Sequence, residues 1–310
     1  VNQTASSDAP KHPQVHHNLP QPDYGEFVGR REELAQVHRI LRPYPHSRHA
    51  VVTIDGIGGI GKSALALEVA HRYLRDYDRL PDEERFDAII WTSAKASVLT
   101  ADGIAPRQQI TRTLEDIYTA IAVTLEYEAI TRARPEEQDA LVTKALTQQR
   151  TLLIVDNLEA IEDERVYILL RELCTPTKAI ITTRRHLDFA YPIHLSGMPE
   201  AEALDLIAHE CKKKSVTLTQ TESKKLRQRT GGVPLAIMWS VAQMSFGYSV
   251  GSVLRRLNQP KADITRFCFE NALDNIRGKP GHKLLMALTL FATSANREAL
   301  GFITGLPDAS

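Results

Sequence analysis

The chain has 310 residues, enough for one large or two to three modest domains with their own cores. Lys plus Arg equals Asp plus Glu at 38 each, so the overall charge does not point to nucleic acid or to an acidic membrane surface. No apolar run approaches the ~20 residues that span a bilayer, and the N-terminus lacks the charged-then-apolar order of a signal peptide. We therefore expect a cytoplasmic protein.

The first segment, residues 1–25, is rich in proline and polar residues and has little to bury. This composition predicts a flexible linker or an extended arm. Soon after it, Leu34, Val37, Ile40 and Leu41 recur at the spacing of one helical face. A short amphipathic helix is therefore predicted directly after the arm.

A glycine-rich stretch, Gly56-Ile-Gly-Gly-Ile-Gly-Lys62-Ser63, stands between an apolar run at 50–55 and a helical pattern that continues to about Tyr77. Glycines let successive backbone N–H groups curl inward, and a helix N-terminus adds further N–H groups and a partial positive charge. In such a loop Lys62 can reach the β- and γ-phosphates, and the Ser63 hydroxyl can hold Mg²⁺. The stretch predicts a nucleoside triphosphate site.

Four more apolar runs predict further strands of the same domain. They are residues 86–93, 151–156, 178–183 and 191–195. The run at 151–156 is apolar on both faces, as in a central parallel strand covered by helices. Helical spacing at 107–125 and 136–148 places helices between the strands. Five strands that alternate with helices predict an α/β domain.

Two charged residues stand where strands end: Asp156 is the last residue of the run at 151–156, and Arg184 directly follows the run at 178–183. Ligands bind at the carboxyl edge of a parallel sheet, and the Mg²⁺ carboxylate of a P-loop enzyme lies there. The planar fork of arginine suits phosphate oxygens, so Arg184 is a candidate reader of the γ-phosphate. The alternatives are a strand that merely ends in an acid and a solvated basic strand end.

After residue 195 the strand pattern disappears and only helical patterns follow. These predicted helices span residues 200–213, 219–229, 231–246, 282–291 and 296–304. The chain is therefore expected to carry a helical region behind the α/β domain.

Five stretches in this order resemble the NB-ARC branch of the STAND ATPases. They are Val28-Gly29-Arg30, Gly56 to Ser63, Leu153 to Glu159, Thr182-Thr183-Arg184 and Gly231 to Leu235. The resemblance extends over about residues 26–300 and implies a five-stranded parallel P-loop sheet of the ASCE type. Helices cover both faces, and the Arg184 strand lies between the P-loop and Asp156 strands.

The resemblance also implies a division into domains. The expected order is a nucleotide-binding domain at 26–196, a helical domain at 197–270 and the start of a winged helix at 271–310. On this division the winged helix is incomplete, so the chain is expected to be a fragment of a longer protein.

Site residues follow from the resemblance position by position. Val28 and Arg30 would contact the adenine end, and Pro234 would pack on the base. The phosphates would bind to Gly58, Gly59, Ile60, Gly61, Lys62, Ser63 and Ala64. Ser63 and Asp156 would hold Mg²⁺, and the catalytic set would be Lys62, Asp156, Glu159 and Arg184.

One residue departs from the family pattern. Many members carry a second acid directly after the Mg²⁺ aspartate, whereas this chain has Asn157. Glu159, two positions further on, could instead position the attacking water. Slow hydrolysis is therefore expected.

The function implied is an ATP/ADP switch with slow Mg²⁺-dependent hydrolysis, which controls signal-dependent oligomerisation in signalling or defence. The ATP form would self-associate, and sensor and effector domains would lie outside residues 1–310. An AAA+ origin-recognition-like ATPase that loads on DNA is the alternative, since it shares the Gly-Arg box, the P-loop and a winged helix. Neutral net charge and the lack of a basic stripe in the C-terminal helices count against it, and against a nucleic-acid partner.

A phosphotransferase with a small-molecule acceptor is a third possibility. It is disfavoured because the helical additions follow the predicted sheet and do not form an acceptor lid within it. No membrane partner is expected.

Overall fold

The computed structural model describes residues 15–22, 24–95, 97–100, 103–106, 110–257, 280–288 and 297–305. These residues belong to two compact units. The first contains the described residues before 57, between 62 and 95, and between 110 and 195. The second contains the loop 57–61, a short segment within 97–106, and the described residues from 196 onward. No helix in these ranges is both long and apolar enough to cross a bilayer.

The first unit is built on a six-stranded sheet in which every neighbouring pair is parallel. The strands among the described residues are β1 (His16–His17), β2 (Val51–Asp55), β3 (Ala88–Ser93), β4 (Ser97–Thr100), β5 (Gly103–Pro106), β6 (Thr151–Asp156), β7 (Lys178–Thr183) and β8 (Tyr191–His194). The order across the sheet is β1-β3-β6-β7-β2-β8. Strands β4 and β5 form a separate antiparallel hairpin, which belongs to the second unit and was not predicted.

The centre of this sheet confirms the α/β prediction. Strands β6 and β7 are buried along their whole length, and β2 is buried up to its last residue. Continuous apolar runs produce such strands because helices cover both faces of a parallel sheet. Strand β7 lies between β2 and β6, so the predicted position of the Arg184 strand is also confirmed.

The predicted count of five strands is wrong, because β1 adds a sixth strand at the edge of the sheet. It comes from the segment interpreted as a linker or extended arm. Next to it, the Asn18 side chain donates to the Trp91 carbonyl at 2.9 Å and accepts from the Trp91 N–H at 2.6 Å. The strand itself is held by backbone pairing and by the amide next to it, and no alternation of apolar residues marked it in the sequence.

The described residues of the first unit include six α-helices. They are α1 (Arg31–Leu41), α2 (Lys62–Arg75), α3 (Leu114–Thr124), α4 (Ala129–Arg132), α5 (Pro135–Gln148) and α6 (Arg165–Arg171). The apolar face predicted for α1 is buried. Helix α3 begins at Leu114 and not near 107, because Thr113 and Asp116 form a capping box that fixes its N-terminus. Helices α4 and α6 were not predicted.

Where the structure describes the second unit, its regular elements are the hairpin and a series of helices. Its helices are α7 (Glu200–Lys213), α8 (Gln220–Thr230), α9 (Pro234–Ser245), α10 (Val250–Leu257), α11 (Pro280–Leu288) and α12 (Arg297–Thr304). Gly231 ends α8 in the left-handed conformation, and Pro234 occupies the first turn of α9. The winged helix at 271–310 stays a prediction, since 271–279, 289–296 and 306–310 lie outside the described residues.

Candidate functional site

The carboxyl ends of the central strands bring polar residues to one edge of the sheet. The register pairs Ser93 of β3 with Asp156 of β6, and Asp55 of β2 with Thr183 of β7. Helix α2 begins at Lys62, a short loop after β2. Lys62, Asp156 and Arg184 therefore lie near the edge at which parallel sheets bind ligands.

Asp156 is buried, with 1% of its surface exposed, and is held by two hydroxyl groups. Ser93 Oγ donates to Asp156 Oδ2 at 2.8 Å, and Thr182 Oγ1 donates to Oδ1 at 2.6 Å. The Asn157 N–H donates to Thr182 Oγ1 at 2.8 Å, so the threonine proton is directed at Asp156. Each carboxylate oxygen has about two acceptor positions, so Asp156 keeps capacity for a further ligand.

Sequence reasoning missed Ser93 and Thr182 as functional residues. Thr182 was part of a recognised stretch, but only the arginine of that stretch received a role. Ser93 ends the strand next to β6, and its position at a strand end was the signal that could have identified it. Both hydroxyls donate to Asp156 and thereby orient its carboxylate.

Lys62 reaches back across the start of its own loop. Its Nζ atom donates to the Gly56 carbonyl oxygen at 2.8 Å. Burial lowers the pKa of this lysine to about 8, because the charged ammonium loses hydration. Such a cation gains more from an anionic ligand than a fully hydrated lysine would.

The charges that act on Lys62 identify its neighbours. After burial, the largest influence on its pKa is Glu159, which raises it. Arg184 then lowers this pKa and Asp156 raises it. The four predicted catalytic residues are therefore close enough to interact electrostatically, although three separate segments of the chain supply them.

Glu159 and Arg184 form an ion pair with imperfect geometry. Glu159 Oε1 lies 3.3 Å from Arg184 Nε, and the two side chains are 3% and 23% exposed. Neither Glu159 oxygen accepts a hydrogen bond from the described residues, and Arg184 Nε donates none there. The carboxylate is thus buried and held by charge more than by hydrogen bonds.

The loop 57–61 and Pro234 lie together in the second unit. Gly59 and Gly61 have φ angles of 76° and 101°, which only glycine adopts without strain. The Leu235 N–H donates to the Gly59 carbonyl at 3.2 Å, and a Cβ added at Gly61 would lie 3.9 Å from Pro234 Cγ. Gly58 and Ile60 belong to the same loop, and Ile60 is buried.

The remaining candidates lie near helix starts. Ser63 and Ala64, both half-buried, are in the first turn of α2. Val28 is half-buried, and Arg30 is buried with a left-handed backbone at the start of α1. The Arg30 guanidinium contacts Glu33 at 2.8 Å. The roles of these residues toward the base and the phosphates stay predictions.

The donor set fits a nucleotide with Mg²⁺. The first turn of α2 contains no acidic residue, so the N–H groups at this helix end suit an anionic ligand. No group of three His, Cys, Asp or Glu among the described residues could hold a metal. Mg²⁺ needs no such group, because it binds through one or two carboxylates, water and substrate phosphates. Ser63 and Asp156 offer the oxygen atoms that it prefers.

Comparison with known proteins shows the domain family of the chain. The sequence profile of the AAA ATPase domain matches residues 26–184, about half of the chain. The chain is also similar to the transcription activator GutR of Bacillus subtilis (strain 168), with 24% identity over 324 residues that cover 94% of the chain and 36% of GutR. A nucleotide-binding leucine-rich repeat (NLR)-like protein of Hyaloscypha variabilis is 25% identical over 253 residues, 74% of the chain and 23% of that protein.

The chain spans about a third of GutR and about a quarter of the NLR-like protein. Among solved structures it is similar to the Walker-type ATPase PABY2304 of Pyrococcus abyssi. The TM-score is 0.58 at 11% identity, and the match covers 90% of this chain and 88% of that one. At this identity the likeness establishes a shared α/β fold.

Proposed function

Because the chain belongs to the AAA ATPase domain family, we propose that it binds ATP and ADP and uses slow, Mg²⁺-dependent ATP hydrolysis as a molecular switch. One observation carries the proposal: Asp156 ends β6, Arg184 follows the adjacent strand β7 and pairs with Glu159, and Lys62 starts the helix that follows β2, the other neighbour of β7. These residues combine a cation for phosphates, a carboxylate for metal, a second carboxylate for water and an arginine for the terminal phosphate.

Each residue has a separate task in this proposal. Lys62 binds the β- and γ-phosphates, together with the N–H groups of residues 58–64. Mg²⁺, held by Ser63 and Asp156, would neutralise charge that develops on the phosphates. Arg184 contacts the γ-phosphate, while Val28, Arg30 and Pro234 contact the adenine end.

Hydrolysis needs one water molecule and one proton acceptor. The water oxygen forms a bond to the γ-phosphorus, the bond from that phosphorus to the bridging oxygen breaks, and ADP leaves with the electron pair. Glu159 takes the water proton, since Asn157 cannot. The products are ADP and inorganic phosphate.

A switch additionally requires ATP and ADP to favour different arrangements of the protein. In our proposal the parts that change their arrangement are a nucleotide-binding domain at 26–196, a helical domain at 197–270 and part of a winged helix of NB-ARC type at 271–310. The names of GutR and of the NLR-like protein, a transcription activator and a nucleotide-binding repeat protein, suit a regulator of this class. The proposed output is self-association in the ATP form, with sensor and effector domains outside residues 1–310.

Titration calorimetry with ADP and with a non-hydrolysable ATP analogue tests nucleotide binding. Lys62→Ala should abolish or severely weaken binding of both, because it removes a charge-assisted contact. Lys144→Ala, at an exposed lysine of α5, is the control and should bind as wild type does. Equal affinity of wild type and Lys62→Ala would refute the phosphate site.

Sedimentation velocity tests the switch. The ATP analogue should shift the protein to a larger species, whereas ADP should leave it unchanged. The same sedimentation coefficient with both nucleotides would reject self-association as the output. The origin-recognition alternative is tested by adding a short DNA duplex together with the ATP analogue. That alternative predicts that the protein and the duplex sediment together.

A further inference from the structure

The Arg184–Glu159 ion pair involves the guanidinium that the proposed function assigns to the γ-phosphate. Arg184 directly follows β7, and Glu159 lies in a 3-10 turn directly after the neighbouring strand β6. Adjacent parallel strands therefore bring the two side chains to the same edge. The carboxylate is almost fully buried, whereas the guanidinium keeps 23% of its surface exposed. Arg184 is thus the partner that an incoming ligand can reach.

The contact is one that a better acceptor can displace. At 3.3 Å and without hydrogen-bond geometry, Glu159 Oε1 and Arg184 Nε attract each other mainly through charge. A phosphate offers more negative charge and oxygens spaced for two parallel hydrogen bonds to an arginine. Arg184 should therefore prefer a γ-phosphate to Glu159.

Lys62 is the other cation whose charge interacts with Glu159. Its Nζ donates to the Gly56 carbonyl oxygen, and in the proposed complex it binds phosphates. Lys62 therefore does not replace Arg184 as the partner of Glu159.

We propose that Glu159 and the γ-phosphate compete for Arg184, so that ATP releases the Glu159 carboxylate and ADP does not. We call this competition for Arg184 between Glu159 and the γ-phosphate the latch. The latch rests on the proposed function, and it deepens that function by linking substrate recognition to the proton acceptor. Once Arg184 turns to the γ-phosphate, both Glu159 oxygens are available to the attacking water. With ADP bound, Arg184 keeps the carboxylate engaged.

A double-mutant cycle with a non-hydrolysable ATP analogue tests the latch. Glu159→Gln keeps the shape and removes the charge that holds Arg184. The analogue should then bind about tenfold more tightly, the lower end of the range for a hydrogen bond to a charged group, and ADP should bind as before. The gain should vanish when Arg184→Ala is compared with Arg184→Ala/Glu159→Gln. Glu162→Gln, at an exposed acid of the same segment, is the control and should change neither affinity.

The outcomes separate the latch from simpler explanations. An equal gain with and without Arg184 would mean that Glu159 merely repels the γ-phosphate, and would overturn the latch. No gain in Glu159→Gln would overturn it as well, while leaving nucleotide binding intact. A wild-type protein that binds neither nucleotide would overturn both the latch and the proposed function.

A second measurement avoids the loss of folding that Arg184→Ala could cause by leaving Glu159 without its partner. In wild-type protein, the NMR resonance of the Arg184 Nε–H group, assigned by its loss in Arg184→Lys, reports on the charged group that lies next to Nε. The ATP analogue should move this resonance, and ADP should leave it in place. Equal shifts with both nucleotides, or no shift with either, would overturn the latch.

Discussion

Proton uptake on nucleotide binding should reveal Lys62 directly. Burial lowers the pKa of this lysine to about 8, so it is mostly charged near neutral pH and mostly neutral one unit above its pKa. Phosphates placed against the ammonium add negative charge, which raises its pKa again. Above pH ~8, binding must therefore return a proton to Lys62, and affinity must fall as pH rises.

The size of the effect follows from the pKa. At about pH 9 only about a tenth of the lysine is protonated, against about nine-tenths at about pH 7. The phosphates should keep the pKa of Lys62 in the complex above about pH 9. Nucleotide affinity then falls about tenfold from about pH 7 to about pH 9, or by about 1.4 kcal/mol. Close to one proton should be taken up per nucleotide at the higher pH.

Calorimetry in two buffers of different ionisation enthalpy measures that proton directly. Lys62→Arg is the matched control, because arginine stays charged throughout and the titration of the nucleotide itself cancels in the comparison. Wild-type affinity should fall relative to Lys62→Arg as pH increases. The same pH dependence in both proteins, or no uptake of protons near pH ~9, would refute the assignment of Lys62 to the phosphates.

Three further substitutions test the metal ligand's support, a buried lysine at the opposite end of β7 and the contact with the base. Thr182→Val removes the hydroxyl that links the Asp156 carboxylate to a backbone N–H. It should cost about 1–3 kcal/mol of stability in denaturant unfolding and reduce Mg²⁺-dependent hydrolysis more than nucleotide binding. The control Thr147→Val, on an exposed helix face, should change neither stability nor hydrolysis in this way. Burial lowers the pKa of Lys178 to about 8, so above that pH the unfolded chain binds more protons than the folded one. Between about pH 7.5 and 9.5 the unfolding free energy of wild type should therefore rise by about 2 kcal/mol more than that of Lys178→Met. If the two proteins show the same dependence of unfolding free energy on pH, the prediction is wrong. Pro234→Ser should weaken ADP and the ATP analogue alike in calorimetry, since apolar contact with the base is lost; a loss confined to one nucleotide would exclude that contact.

The centre of the sheet and the position of its charged residues could be predicted from the sequence. Apolar runs such as 151–156 are long, uninterrupted and followed by a polar residue, so both the strand and its end are marked. Once the strands are parallel, their ends meet at one edge, and the proximity of Asp156 and Arg184 follows. Local patterns were sufficient there because every residue of the strand is buried.

Features that depend on a distant partner could not be predicted. Strand β1 consists of two exposed histidines, and it exists because the edge of β3 accepts backbone pairing and Asn18 binds Trp91. The ion pair between Glu159 and Arg184 likewise depends on the register of two strands and on the turn that follows β6. Neither a composition nor a spacing encodes such contacts.

The affinity ratio between ATP and ADP is the most direct test of a switch that reads the γ-phosphate. Dissociation constants of ADP and a non-hydrolysable ATP analogue should be measured for wild type and Arg184→Ala, with a thermal melt of each protein as the check on folding. We expect Arg184→Ala to lose about 1.5 kcal/mol of affinity for the analogue, the lower end of the range for a charged hydrogen bond. The lower end applies because Arg184 gives up its ion pair with Glu159 when it binds the γ-phosphate. Affinity for ADP should not change. An equal loss for both nucleotides would contradict the γ-phosphate sensor and, with it, the switch.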